Sequence, residues 1–184
     1  MAELTGKLDN AIHLCVDMQR LFAAEGPWPT PWMEIVLPKA ARLAERWPER
    51  TVFTRFLPPH RSETPPGMWS AYYRKWEHVC RGAIDETLLE LLPTLARLPP
   101  AKVFDKTVYS AFADGRLHAA LQRGGVDTLI VTGSETDVCV LSSVLAAVDL
   151  GYRVVVARDA VCSSSDESHD ALIGLYRSRY AVQI

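Results

Sequence analysis

Three side chains, far apart in this sequence, could together cleave an acyl bond. Cys139 stands in "VTGSETDVCV" (131–140), after the apolar run "VDTLIVTG" and before "LSSVLAAVDLG". Those flanks read as a strand and a helix, so the thiol falls at a strand-to-helix turn. Free backbone N–H groups there lower a thiol pKa and can hold a developing oxyanion. Asp17 closes "AIHLCVD", where a carboxylate could take the thiol proton. Lys106 closes "AKVFDK" and would supply positive charge to a thiolate and its tetrahedral adduct. Taken singly, each has a plainer use. A lone cysteine packs as a small hydrophobe. Asp17 could simply end a strand in water, and Lys106 could pair with Asp105 at the surface, where ion pairs contribute little.

What could bring the three together is the order of elements. Strand-like runs lie at 11–17, 51–56, 101–106, 126–133 and 152–160, and "YAVQI" (180–184) reads as a terminal strand. Between them, "IVLPKAARLAERW" (35–47) has apolar residues at helical spacing. "GRLHAALQRGG" (115–125) is a short helix with a glycine stop. "DESHDALIGLYRSR" (166–179) opens on acids and closes on bases, as a helix dipole prefers. Alternating strands and helices predict a parallel sheet covered on both faces. In such sheets ligands bind beyond the carboxyl ends of the strands, where Asp17, Lys106 and the Cys139 turn all fall. The stretch from Leu57 to Pro100 breaks the alternation. It begins as an aromatic, proline-rich segment that could border a pocket, and "IDETLLELLPTLARL" (84–98) reads as a helix.

The 184 residues suit one domain spanning 1–184, large enough to bury a core without disulfide staples. The four cysteines form no C-x-x-C pair, and the net charge of -2 gives no hint of nucleic acid or an acidic membrane as partner. The start is polar, and no apolar run approaches the roughly 20 residues that span a bilayer. The expectation is a cytoplasmic protein with reduced thiols. Five tryptophans, several in or beside proline-rich loops, predict a homo-oligomer, because exposed aromatic patches commonly mark interfaces.

The segments "CVDMQRLF", "DKTVYSAF" and "VTGSETDVCV" resemble, in order, the three signature segments of the isochorismatase-like cysteine hydrolase family. That superfamily includes nicotinamidases, N-carbamoylsarcosine amidases and isochorismatases. The likeness runs from about Ala11 to the end of the chain. It implies a three-layer α/β/α fold, with a mainly parallel six-stranded Rossmann-like sheet. It also implies a catalytic triad of Asp17, Lys106 and Cys139. A cis peptide between Ser134 and Glu135 would set the N–H of Glu135 beside that of Cys139 as an oxyanion hole. Glu135 departs from the small apolar residue usual there. Gln19, Phe22, Trp28, Trp69, Tyr109 and Phe112 are candidate pocket residues by aromatic content and nearness to the motifs.

Nicotinamidases of this family hold a metal through an Asp-x-His after the second strand. Here "TRFLPPHR" places Phe56 and Pro58 at those positions. A metal site needs several donors at fixed spacing, so His60 and His78 read as loop histidines. The expectation is an enzyme with no metal and no cofactor, hydrolysing an amide, carbamoyl or ureido C–N bond of a small molecule. Two alternatives stay open: isochorismatase-type vinyl ether hydrolysis, which needs the aspartate but not the thiol, and a non-catalytic binding module on the same fold.

Overall fold

The computed structural model describes residues 8–99, 102–180 and 184. Five strands form one parallel sheet: β1 (Ala11–Val16), β2 (Thr51–Phe56), β3 (Lys102–Lys106), β4 (Thr128–Ser134) and β5 (Arg153–Cys162). Their spatial order is β3-β2-β1-β4-β5. The chain winds outward from β1 to β3 and then crosses to the other side of β1, so the winding switches between β1 and β4. Crevices beyond the carboxyl ends of strands at such a switch are where open α/β sheets bind ligands. Five strands stand among the described residues, where six were expected. The sixth was assigned to 180–184, and 181–183 lie outside the described residues. Ala101, the expected first residue of the third strand, also lies outside them.

The central strands are apolar almost throughout because both faces are covered. In β1, Leu14, Cys15 and Val16 are all buried. One face carries α1 (Met33–Arg46) and the segment 57–99. The other carries α4 (Arg116–Arg123), α5 (Leu141–Asp149) and Tyr176 of α6 (Asp166–Arg179). Helix α1 forms because Met33, Val36, Ala40, Ala41 and Ala44 fall on one stripe, and all are buried. It ends before Trp47-Pro48, since a residue preceding proline is disfavoured in helical geometry. Each large apolar side chain buried this way contributes about 1.5–3 kcal/mol.

His13 shows what the sheet does with a polar group. It is buried, with Nε2 2.8 Å from Thr132 Oγ1 and Nδ1 3.4 Å from Thr51 Oγ1. Burial pushes its pKa down to about 4, so it bridges three strands as a neutral ring.

The expected helix over 84–98 is replaced by two short pieces. A 3-10 turn covers Glu86–Leu89, and α3 covers only Pro93–Ala96. Between them Leu91 bridges antiparallel to Gln19, and Leu92 N–H donates to the Met18 carbonyl at 2.9 Å. Pro93 has no N–H to continue a helix across that point, so the chain pairs with the loop after β1 instead. In the aromatic stretch, α2 (Met68–Lys75) follows Gly67, whose φ is 58°. Among the described residues, no helix is long and apolar enough to cross a membrane.

Candidate active site

Asp17 follows β1 directly, in the left-handed region with φ 49°. Non-glycine residues seldom adopt that conformation, and aspartate is among those that do. Its side chain is fully buried, and two other strands each supply it with a partner. One comes from β2, whose parallel register beside β1 pairs Cys15 with Phe53. Thr54, next along β2, donates its hydroxyl to Asp17 Oδ1 at 2.6 Å and accepts the Asp17 N–H at 3.2 Å. The other partner is Lys106, whose Nζ lies 2.6 Å from Oδ2. Among the described residues no hydrogen bond of ordinary geometry reaches Oδ2, so the ammonium balances it mainly by charge.

Lys106 ends β3, two strands away from β1. Its stem crosses the end of β2, with Nζ 4.9 Å from the centre of the Phe56 ring. From there Nζ donates to the Val108 carbonyl at 3.1 Å and to Cys139 Sγ at 3.3 Å. Burial alone would favour a neutral amine. The contacts with Asp17 and Cys139 outweigh it and hold the pKa above its usual value, so the group stays charged.

Cys139 is carried by the turn after β4. The Ser134–Glu135 peptide is cis. Thr136–Val140 then form one π-helical turn, in which the N–H groups of Val138 and Val140 donate to the Glu135 carbonyl at 3.1 and 3.0 Å. Regular helix begins only at Leu141, so the thiol sits in the turn before α5. The expectation of a depressed thiol pKa is overturned. Burial pushes the Cys139 thiol up, the Asp17 carboxylate pushes it the same way, and Lys106 opposes both without prevailing. At rest the geometry describes a neutral thiol beside a carboxylate.

Gly133 sets how close this turn comes to Asp17. Its φ is 114°, and a Cβ there would stand 2.0 Å from the Val16 carbonyl oxygen and 2.6 Å from the Val16 nitrogen. Only glycine lets β4 approach the end of β1 so closely. The turn is then anchored from α6 and the loop before it. Thr136 Oγ1 pairs with His169 Nδ1 at 2.9 Å, and Asp137 accepts the hydroxyls of Ser163 and Ser168. The Glu135 carboxylate accepts Ser164 N–H at 3.2 Å and its hydroxyl at 2.6 Å, both on Oε2.

The candidate pocket residues divide into two groups. Trp69 and Tyr109 meet edge to face, with ring centres 4.8 Å apart, and both are half-buried near the thiol. Trp28 is the hub of a ring cluster with Phe22, Phe56, Tyr72 and Trp76. Its indole N–H finds no acceptor among the described residues. The other three candidates are buried within the fold. Gln19 is fully buried, and its amide is spent on the backbone: Oε1 accepts Phe56 N–H at 2.6 Å, and Nε2 donates to the Phe56 and Leu89 carbonyls at 3.1 and 2.8 Å. Phe22 is buried and stacked on Trp28. Phe112 is buried on the other side of the sheet, its ring 6.0 Å from that of Tyr152.

Sequence reasoning missed Thr54, Tyr72 and the serines at 163, 164 and 168. Thr54 could have been found only through the β1–β2 register. Tyr72 had a weak signal, as one of four aromatic residues between 69 and 76.

The segment after β2 does not fit a metal ion. The Phe56 ring is buried beneath Lys106, Pro58 is buried and offers no donor, and His60 and His78 are exposed. Among the described residues, no three His, Cys, Asp or Glu side chains converge as ligands.

A family model for the isochorismatase domain matches residues 11–184. Isochorismatase family protein 1A of Dictyostelium discoideum is 36% identical over 97 residues, which span 52% of this chain and about half, 46%, of that protein. Nicotinamidase 3 of Arabidopsis thaliana is 28% identical over 163 residues, covering 89% of this chain and 78% of its own. The pyrazinamidase of Pyrococcus horikoshii, solved in complex with zinc, superimposes with a TM-score of 0.77 at 25% identity, over 92% of this chain and 96% of its own.

Proposed function

This chain belongs to the isochorismatase family of hydrolases, and from that premise we propose that it cleaves the C–N bond of a small amide, carbamoyl or ureido compound through a thioester on Cys139. The observation that carries the reading is the single ammonium of Lys106, 2.6 Å from Asp17 and 3.3 Å from Cys139. It joins a base and a nucleophile in one buried cluster.

Because the thiol pKa is raised, no standing thiolate is needed. Asp17 takes the Cys139 proton as Sγ attacks the carbonyl carbon, which is general-base assistance worth about 10²–10⁴-fold. The carbonyl electron pair moves to oxygen, and the N–H groups of Glu135 and Cys139 hold that oxyanion. On collapse the C–N bond breaks, and the departing nitrogen takes the proton from Asp17. A water then gives its proton to Asp17 and attacks the thioester. The second collapse releases the acid, and the proton returns to sulfur. Lys106 stays charged throughout and offsets the buried carboxylate when it is ionised. No step requires a metal ion.

Ammonia release from a panel of small amides and ureas tests this directly. The expected result is turnover of at least one compound that is lost in Cys139→Ala and Asp17→Asn. The rival, vinyl ether hydrolysis, uses the aspartate to protonate carbon and leaves the thiol idle. Hydrolysis that survives Cys139→Ala but not Asp17→Asn would select the rival. The hydrogen bond from Lys106 to Cys139 favours the thiol route.

A further inference from the structure

Asp137 stands midway between the two N–H groups that would receive the oxyanion, two residues after Glu135 and two before Cys139. The turn around it is a single π-helical turn, a form that is rare in proteins and frequent at functional sites. Its carboxylate is gripped by two hydroxyls, one on each oxygen. Ser163 donates to Oδ1 and Ser168 to Oδ2, both at 2.5 Å. Short O–H···O⁻ bonds of this kind are charge-assisted and about twice as strong as neutral ones. Helix α6 does not depend on them for its cap, because Ser165 Oγ already accepts the Ser168 N–H at 3.3 Å. Ser163 is buried just past β5, where the pairing of Ser134 with Cys162 sets it level with the turn. The two residues before Asp137 are held from the same segment. Thr136, fully buried, pairs with His169, and Glu135 accepts from Ser164. Three successive side chains of the nucleophile turn are thus tied to residues 163–169.

We propose that Asp137 is a positioning residue of this site: its two serine bonds keep the N–H groups of Glu135 and Cys139 aimed at one point, where the carbonyl oxygen becomes an oxyanion. It touches no reacting atom and carries no proton. This assignment rests on the reading of Cys139 as the nucleophile of a hydrolase. An oxyanion hole stabilises charge that exists only during acyl transfer. Loosening it slows that step and leaves the ordinary reactivity of the thiol alone.

Two reagents separate those effects on the same sulfur. p-Nitrophenyl acetate acetylates it: Sγ bonds to the carbonyl carbon, its proton passes to Asp17, an oxyanion forms, and collapse expels p-nitrophenolate. Iodoacetamide alkylates it at a saturated carbon, expels iodide and forms no oxyanion. The signal in each case is the part lost in Cys139→Ala. In Asp137→Ala, acetylation is expected to slow about tenfold to a hundredfold, with alkylation within about threefold of native. Asp137→Asn should recover most of the acetylation rate, because its amide can accept from one serine and donate to the other. Replacing Ser163 and Ser168 together by alanine should lose about as much as Asp137→Ala, and cost nothing further when combined with it. Should Asp137→Ala fail to fold, the double serine variant carries the test alone. Unchanged acetylation, or acetylation and alkylation falling in parallel, overturns the positioning role and leaves the hydrolase reading standing. A native protein whose Cys139 is alkylated but never acetylated overturns the hydrolase reading, and the positioning role with it.

Discussion

Asp17 and Lys106 form an ion pair of 2.6 Å between an aspartate with no exposed side-chain surface and a lysine nearly as buried, drawn from strands that are not neighbours. Two charges removed from water at this depth are tolerable only together, because the loss of either leaves the other unbalanced. Lys106→Met is therefore expected to lower the unfolding free energy by about 3–5 kcal/mol. Adding Asp17→Asn should restore much of the loss, since a neutral amide needs no ammonium. Urea denaturation of the two single variants and the double variant measures this coupling, and strictly additive losses would contradict it.

The same carboxylate pushes the thiol up while serving as its base, so Asp17→Asn should move two observables in opposite directions. Turnover falls by about 10²–10⁴-fold. Alkylation of Cys139 by iodoacetamide at neutral pH becomes faster, because Lys106 then has only burial, and no longer the carboxylate, working against it. Each unit by which the thiol pKa drops multiplies the thiolate fraction by about ten. In the native protein, with its raised thiol pKa, alkylation should climb steadily with pH and show no plateau below about pH 9. Peptide mass mapping of the labelled protein reads both effects. A plateau near neutrality would mean a stable thiolate.

Gly133 is predicted to be intolerant for a steric reason that another positive-φ glycine does not share. A methyl group at 133 would lie 2.0 Å from the Val16 oxygen, whereas one at Gly67 would meet nothing within 4 Å. Gly133→Ala should cost at least about 4 kcal/mol or abolish folding. Gly67→Ala should cost only about 1–3 kcal/mol, from a positive-φ backbone that side chains seldom adopt. Comparing the two denaturation midpoints is the check.

Gln19→Leu should behave as a core defect. It strands the Phe56 N–H and removes a donor from the Phe56 and Leu89 carbonyls, and each unpaired buried group costs about 1–3 kcal/mol. The Phe56 amide should exchange with deuterium markedly faster than in the native protein. Unchanged exchange with a large rise in KM would return Gln19 to the substrate pocket.

Chelator treatment is expected to leave ammonia release unchanged, and nicotinamide to be a poor substrate, because Phe56 and Pro58 offer no donors where a ring-binding metal would need them. Activity lost on chelation and restored by added metal would overturn this and bring His60 and His78 back as ligands.

By itself the sequence determined the alternation of apolar runs and amphipathic helices, and with it a parallel sheet with Asp17, Lys106 and the Cys139 turn at strand ends. Those are local properties, since periodicity and burial follow from side-chain type along the chain. It misled on 84–98, where helical leucine spacing lost to Pro93 and to pairing of Leu91 with the loop after β1. What only tertiary structure decided was partnership. The β1–β2 register gives Asp17 its Thr54, and the reach of Lys106 across the Phe56 ring ties base to nucleophile. The pKa of Cys139 likewise depends on how deeply the turn is buried and on which charges converge there. Register, reach and desolvation are set by residues distant in the chain, and no local window of sequence contains them.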